Sequence, residues 1–268
     1  MKTSVIVTTY NWPEALSLTL DSLLRQTRLP DEVIIADDGS GKATAEVVEA
    51  FAAKAPFPVL HAWQEDEGFR LAMSRNRAIA KAKGEYIIVI DGDLILHEAF
   101  VEDHLKNAQP GLYLQGGRVL LGERMTKDIF AKSFDPRNIG PFSPDLGNRK
   151  NALRNRLLSR LFLRSSTTMK GIKGCNFSLF KKEILAVNGF DNRFVGWGRE
   201  DSEFVARLYK AGMQRKNLKF AAVAYHLYHP ENERAALPQN DERLQKTLLG
   251  DRIRCEDGID RFLKRVEE

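Results

Sequence analysis

This chain of 268 residues is poor in cysteine, with Cys175 and Cys255 as its only two. Two isolated cysteines are too few for a disulfide framework or a zinc site, so we expect both to be free thiols. Long apolar runs are also lacking, because none approaches the ~20 residues of a membrane span and the N-terminus has no signal-peptide pattern. The sequence therefore predicts a cytoplasmic protein.

Acidic residues are missing from one stretch, although the net charge of the chain is only +5. Between Arg149 and Lys173 there are eight Lys or Arg residues and no Asp or Glu. Helical spacing predicts a helix over Lys150 to Leu163. Its apolar stripe contains Leu153, Leu157 and Leu161, and its basic stripe contains Arg156, Arg160 and Arg164. Such a helix suits the inner face of an anionic membrane or a phosphorylated substrate, and a solvated face packed on the domain is the alternative.

Strand patterns and helix patterns alternate along the chain, which predicts an α/β fold with a mostly parallel central sheet flanked by helices. The predicted strands are 4–8, 32–36, 59–62, 86–90, 112–121, 171–180 and 218–225. The predicted helices are 15–26, 43–53, 69–83, 98–107, 150–163, 181–187 and 203–211, with an irregular segment at 122–147 and a charged helical tail from residue 241. A hydrophobic content of 43% supplies a core for one large domain over residues 1–268.

Polar side chains follow three of the predicted parallel strands, in the segments Thr8–Asn11, Asp37–Ser40 and Asp91–Asp93. The carboxyl ends of parallel strands meet at one edge of a sheet, where ligands of open α/β sheets bind. Strand alternation puts Asp91 and Asp93 on the same side, and two carboxylates facing one way suit Mg²⁺ or Mn²⁺. An ordinary polar turn is the alternative for this tripeptide.

The motifs SVIVTTYN, ADDGS, GFRLAMSRN and VIDGD occur in this order, and over about the first 120 residues the chain resembles family 2 glycosyltransferases of the GT-A fold. The resemblance implies that Thr8 and Tyr10 line a nucleotide pocket and that Asp38 and Arg70 recognise the base. It also implies that Asp91 and Asp93 form a DxD motif that handles ribose and metal. From the residues alone, without this resemblance, Arg70 is interpreted as a solvated helix residue.

A second resemblance lies in GCNFSLFKKE and GFDNRFVGWGREDSEFVARL, which are similar to the catalytic segment of β-1,4-galactosyltransferases and of bacterial chondroitin polymerase. It implies that Asp201 is the catalytic base, that Glu200 holds the acceptor sugar and that Trp197 stacks on it. These families often have Gly-Gly-Glu-Asp, and Arg199 stands here in place of a glycine. The alternatives are helix N-terminal acids for Glu200 and Asp201 and a core aromatic for Trp197.

The resemblance also places a third metal ligand after the last strand, where His226 and His229 both occur. A neutral imidazole can join two carboxylates around Mn²⁺. His226 follows Tyr225 in an AYH pattern like that of chondroitin polymerase, so we prefer His226 to His229 as the ligand that joins Asp91 and Asp93.

Together the motifs predict a metal-dependent inverting hexosyltransferase that uses a UDP-sugar and a surface glycan or glycolipid acceptor, such as lipopolysaccharide core or capsule. Residues 1–120 would be the nucleotide-sugar half, 121–235 the acceptor and catalytic half, and 236–268 a helical tail. A sugar-phosphate nucleotidyltransferase is the alternative enzyme, but its glycine- and lysine-rich phosphate loop is missing. A nucleic-acid-binding protein is a remote alternative, because Phe162 is the only aromatic residue in the basic stretch.

Overall fold

The computed structural model describes residues 1–162, 164–230 and 233–263. Its strands are β1 (Thr3–Thr9), β2 (Glu32–Asp37), β3 (Val59–Trp63), β4 (Tyr86–Asp91), β5 (Leu94–Leu96), β6 (Leu112–Gly116), β7 (Val119–Leu121), β8 (Leu146–Gly147), β9 (Ser165–Ser166), β10 (Asn176–Phe180), β11 (Gln214–Leu218) and β12 (Ala224–His226). Its helices are α1 (Pro13–Leu24), α2 (Lys42–Lys54), α3 (Leu71–Lys81), α4 (Phe100–Asn107), α5 (Glu123–Phe130), α6 (Arg156–Leu161), α7 (Lys181–Ala186), α8 (Glu200–Lys210) and α9 (Leu237–Leu249). Short 3₁₀ helices cover Pro136–Asn138, Arg149–Ala152 and Ile259–Phe262.

The central sheet of the described residues has the strand order β3-β2-β1-β4-β10-β6-β11-β9. The first four strands are parallel, and β10 enters between β4 and β6 in the antiparallel direction. Strands β5, β12, β7 and β8 form a second, smaller sheet. The mixed α/β fold with a central sheet flanked by helices confirms the predicted fold class.

Strand β4 lies in the middle of the central sheet because its residues Tyr86 to Ile90 are apolar on both faces and fully buried. One hydrophobic cluster lies on the side of α1 and α4, where Leu16, Leu20 and Phe100 pack against the sheet. The other lies on the side of α3 and α8. Both clusters hold β4 in place, so the residues that follow β4 are rigidly positioned.

Two predicted strands are each divided between the two sheets. Instead of one strand over 112–121, β6 ends at Gly116 and β7 begins at Val119, because the chain turns where Gly116 packs against the Asn176 side chain. Instead of one strand over 218–225, β11 ends at Leu218 and β12 begins at Ala224. Phe220 and Ala222 between them have positive φ angles of 58° and 48°, which interrupt extended structure.

The predicted basic helix over 150–163 is wrong in length. The α6 helix begins at Arg156, because the side chain of Asn155 accepts hydrogen bonds from the backbone of Leu157 and Leu158 and caps it. Leu157 and Leu161, which belong to the predicted apolar stripe, are 73% and 76% exposed. Residue 163 lies outside the described residues.

Other boundaries also differ from the prediction. The segment 122–147 was expected to be irregular but contains the helix α5. Of the strand predicted over 171–180, only the second half forms a strand, which is β10. The tail helix α9 begins at Leu237, before residue 241, and the last five residues of the predicted tail, 264–268, lie outside the described residues. Cys175 and Cys255 are free and buried, as predicted. No helix in the described ranges is both long and apolar enough to span a membrane.

Candidate active site

The parallel pairing of β1 with β2 and β4 brings the predicted polar clusters to one sheet edge. Thr8 pairs with Ala36 on one side and with Asp91 on the other. The Thr8 hydroxyl donates a hydrogen bond to Asp91 Oδ1 at 2.9 Å. Burial raises the pKa of Asp91, while the charge of Arg75 opposes this shift and that of Asp93 adds to it.

Asp38 lies in a buried position after β2, with 4% of its surface exposed. Its carboxylate accepts hydrogen bonds from Gln64 Nε2 at 2.6 Å and from the backbone nitrogen of Arg70 at 2.8 Å. Burial of the carboxyl raises the pKa of Asp38 to about 6, although these two hydrogen bonds act in the opposite direction. Asp38 is therefore a carboxylate with free acceptor capacity in a poorly hydrated position.

Tyr10 and Arg70 are also predicted to contact a nucleotide. Arg70 is the last residue of the segment 64–70, which packs on the loop after β2, and Tyr10 lies beside this segment. Tyr10 is 49% exposed, and its hydroxyl donates to Asp66 Oδ2 at 3.0 Å. The Arg70 guanidinium forms an ion pair with Glu67. The backbone nitrogen of Arg70 thus contacts the Asp38 carboxylate, and the exposed Tyr10 contacts Asp66 of the same segment.

Asp93, His226 and His229 form a compact group at the junction of the two sheets. The antiparallel pairing of β12 with β5 aligns His226 with Leu94, so both histidines approach the adjacent Asp93. Nε2 of His226 lies 3.4 Å and Nε2 of His229 lies 3.5 Å from Asp93 Oδ2. Burial lowers the pKa of His226, while the hydrogen bond to Asp93 raises the pKa of His229.

This group fits a divalent cation. One ligand atom from each of Asp93, His226 and His229 lies within 4.8 Å of the others. Asp93 Oδ1 is buried and has no hydrogen-bond partner among the described residues, so it can bind a cation. A carboxylate with two imidazoles suits Mn²⁺ and other transition metals. Asp91, which was also predicted as a ligand, accepts hydrogen bonds from Thr8 and Arg75 at its Oδ1, and its role as a metal ligand stays a prediction.

Glu200 and Asp201 open helix α8, directly after Arg199, whose φ angle of 76° turns the chain into the helix. Asp201 Oδ1 accepts hydrogen bonds from the backbone nitrogen of Ser202 at 2.6 Å and from its hydroxyl at 3.1 Å. Burial and the charge of Asp201 raise the pKa of Glu200 to about 7. The structure therefore provides two adjacent, partly buried carboxyl groups at the start of α8.

Trp197 lies in the loop before α8 and is partly buried, so it is not a core aromatic. The guanidinium of Arg234 lies over its ring, 5.2 Å from the centroid. A ring with a cation on one face is held in a fixed orientation. This leaves the role of stacking against a sugar as a prediction.

Arg75 connects the two groups of acids, and the sequence analysis did not identify it. Its side chain is 1% exposed and forms ion pairs with Asp91 at 3.3 Å and with Glu200 at 3.1 Å. It also donates to the carbonyl of Gly174 at 3.1 Å. Burial lowers its pKa, but the charges of Asp91, Glu200 and Asp201 outweigh this effect and raise it. Arg75 therefore stays charged.

A signal for Arg75 was present in the sequence. It lies three residues after Ala72 and four before Ile79, both of which are buried, so helical spacing places it on the apolar face of α3. An arginine on a buried face needs acidic partners. That argument would have led from Arg75 to the carboxylates now seen around it.

This architecture, a GT-A type fold with acids and histidines at the edge of the central sheet, defines a class of sugar-transferring enzymes. Residues 4–185 match the sequence model described as glycosyl transferase family 2, and residues 162–230 match the one described as the N-terminal domain of galactosyltransferase. The first match covers more than half of the chain, so the chain belongs to glycosyl transferase family 2. Both predicted resemblances are confirmed.

Similar proteins include chondroitin synthase of Escherichia coli, at 27% identity over 87% of this chain and 36% of that protein. Validoxylamine A glucosyltransferase of Streptomyces hygroscopicus subsp. jinggangensis is 30% identical over 78% of this chain and 52% of that protein. The chain thus spans about a third to a half of the length of these relatives. The structure of S. aureus TarS 1–349 in complex with UDP has a TM-score of 0.63 at 17% identity, and the likeness covers 98% of this chain and 68% of that one. It supports the fold.

Proposed function

We propose that this glycosyltransferase is a metal-dependent inverting enzyme that transfers a hexose from a UDP-sugar to a hydroxyl of a surface glycan, such as lipopolysaccharide core or capsule. The observation that carries the proposal is the group of Asp93, His226 and His229, whose ligand atoms lie within 4.8 Å of one another. On the other side of Arg75 lie Glu200 and Asp201. One site thus combines a place for a cation with a place for a base.

The donor would bind along the edge formed by β1, β2 and β4. Asp38 would accept a hydrogen bond from the imide of the base, and Tyr10 and Arg70 would lie against its ring. Thr8 and Asp91 would face the ribose. Support comes from the position of all five residues at one edge and from the free acceptor capacity of the buried Asp38.

Asp93, His226 and His229 would hold the cation, which suits Mn²⁺ or Mg²⁺. When bound, the cation neutralises charge on the departing diphosphate. The carboxylate and imidazole ligands favour Mn²⁺ of the two, because Mg²⁺ prefers oxygen ligands throughout.

Asp201 would act as the base on the acceptor side. Its carboxylate takes the proton of the attacking acceptor hydroxyl, the new bond forms at C1 of the hexose, and the bond from C1 to the UDP oxygen breaks. Attack from the face opposite UDP inverts the configuration at C1. Glu200 would hold a second hydroxyl of the acceptor, and Trp197 would offer its ring to the sugar.

The division into a nucleotide-sugar half (1–120), an acceptor half (121–235) and a tail (236–268) belongs to the same proposal. It places donor residues on the parallel part of the central sheet and acceptor residues on α8 and the loop before it. A cytoplasmic location with peripheral contact to the inner membrane, through Arg156, Arg160 and Arg164, suits an enzyme of surface glycan assembly.

Calorimetric titration with UDP tests the metal site. We expect Mn²⁺ to strengthen UDP binding and Asp93→Ala to remove most of this gain, by about tenfold or more in Kd, because the metal loses its carboxylate. Asp21→Ala, which removes a surface carboxylate on α1, is the matched control. The proposal fails if UDP binds without regard to Mn²⁺, or if the two variants behave alike.

A reaction with UDP-hexoses identifies the chemistry. Release of UDP, with the opposite anomer in the product, is the expected outcome. Release of pyrophosphate from a nucleoside triphosphate and a sugar phosphate would support a nucleotidyltransferase instead.

A further inference from the structure

A cavity of about 300 Å³ lies between α4 and α6, away from the candidate active site. Most of its lining residues are polar or charged, and they include Asp103, Lys106, Arg156, Arg160 and the apolar Phe220. Three cations line this α4–α6 cavity. An anion of the size of a phosphate monoester or diester fits such a volume.

The cations around the α4–α6 cavity are only partly neutralised. Lys106 and Arg156 share one carboxylate, Glu102, to which Arg156 donates at 3.2 Å. Asp103 is already engaged by Arg154, through two hydrogen bonds of 2.8 Å. Arg160 has no acidic partner among the described residues, and no acid occurs from residue 149 to 173. The cavity therefore carries a net positive charge that favours an anion.

Exposed apolar side chains stand beside these cations. Leu157 and Leu161 lie four residues apart on α6 with 73% and 76% of their surfaces exposed, so both point outward from the same face. Phe162 packs on Phe220 of the cavity wall, at 5.5 Å between ring centroids. Binding of a free phosphate or a sugar phosphate would not explain why two leucines point outward. Binding of a lipid bilayer would explain it, because the acyl chains lie directly beneath the phosphates.

We propose that the α4–α6 cavity binds the phosphate headgroup of an anionic phospholipid while Leu157 and Leu161 enter the acyl layer. The inference extends the membrane contact of the proposed function by naming its site and its ligand. It needs no assumption about sugar transfer, so the two can fail separately.

Co-sedimentation with vesicles tests the proposal. One set contains phosphatidylglycerol and phosphatidylethanolamine, and the other contains phosphatidylcholine alone. We expect binding to the anionic set only. The double variant Arg156→Glu/Arg160→Glu should weaken it about tenfold or more, because each basic residue near an anionic surface contributes about fivefold. Leu157→Ser/Leu161→Ser should weaken it by a similar factor while leaving its dependence on lipid charge unchanged.

The matched control is Lys246→Glu/Leu249→Ser on α9, which changes a cation and a leucine with 74% and 85% exposure on another face. It should bind vesicles like the unchanged protein. The circular dichroism spectrum and the thermal melting temperature should be the same in every variant, which shows that each is folded. Equal binding to both vesicle sets, or unchanged binding of the arginine or leucine variants, would overturn the proposal.

Discussion

Arg75 forms ion pairs with an acid of each half of the site, Asp91 at the donor edge and Glu200 at the acceptor edge. A planar guanidinium presents several donors in a fixed geometry, so it can hold two carboxylates and a carbonyl at the same time. A lysine ammonium is a single compact charge and cannot span the same three groups. Arg75 is therefore a positioning residue, because its planar guanidinium holds the two carboxylates in place.

Arg75→Lys tests this role without leaving the two buried acids unpaired. We expect kcat/KM to fall by roughly a hundredfold, with KM rising for both donor and acceptor, because 1 Å misplacements in active sites have effects of this size. Steady-state kinetics with each substrate varied in turn measures the change. Arg77→Lys on the same helix is the control. A variant that loses thermal stability but keeps both KM values would show that Arg75 is only structural.

Asp38 gives the site a pH dependence that the ordinary pKa of aspartate would not give. The ionised carboxylate is a much stronger acceptor than the protonated carboxyl for a hydrogen bond from the imide of uracil, and the pKa of Asp38 is raised to about 6. As the pH falls from 7 to 5, the ionised fraction falls about tenfold, and we expect the Kd for uridine to rise by the same factor. Uridine is chosen because it carries no phosphate that titrates in this range.

Fluorescence or NMR titration at several pH values measures the uridine affinity. In Asp38→Asn the dependence on pH should vanish, together with most of the affinity. An equal Kd at pH 5 and pH 7 in the unchanged protein would contradict the assignment of Asp38 to the base.

At the scale of elements, the turn from β4 to β5 sets the position of Asp91 relative to Asp93. A Cβ atom on Gly92 would lie 2.5 Å from the backbone oxygen of Thr8, to which the Gly92 nitrogen donates at 2.7 Å. Because backbone cannot yield as a side chain can, glycine is needed here for the close approach of β1. The glycine between the acids thus has a steric reason.

Gly92→Ala should lower the free energy of unfolding by about 1–3 kcal/mol, because the added methyl group meets rigid backbone. It should also weaken Mn²⁺-dependent UDP binding by moving Asp93. Urea denaturation and calorimetry provide the two measurements. Gly140→Ala, where nothing lies within 4 Å of the added carbon, is the control and should change stability by less than about 0.5 kcal/mol. Similar effects of both substitutions would argue against the steric explanation.

The elements that local patterns predict well are those whose side chains meet the core directly. The strands around residues 4–8, 32–36, 59–62 and 86–90 are found close to their expected bounds, since apolar β-branched runs favour extended structure. The division of 112–121 and of 218–225 depends on contacts with Asn176 and on two positive φ angles, which no local pattern encodes. The start of α6 at Arg156 follows from the cap at Asn155, one residue before the helix.

In the site, the sequence indicated the acids and histidines but not their partners. His226 was preferred to His229, and the structure places both beside Asp93. Asp91 and Asp93 are predicted to face one ion, and the structure adds that Asp91 Oδ1 also contacts Thr8 and Arg75. Motif spacing identifies residue types, but the partner of each side chain is set by strand pairing across the whole fold.

In the whole molecule, the central sheet contains strands from both the first and the second half of the chain. Strand β10, at residues Asn176–Phe180, lies between β4 and β6, which precede it in the sequence. As the polypeptide leaves the ribosome, β4 and β6 are therefore complete while the strand that joins them is not yet made. Until then β4, with its run YIIVI, is an open and strongly apolar sheet edge, the kind of surface that pairs with other chains and aggregates. The position of β10 beside β4, which supports the active-site acids in the finished enzyme, thus exposes the incomplete chain to aggregation during synthesis.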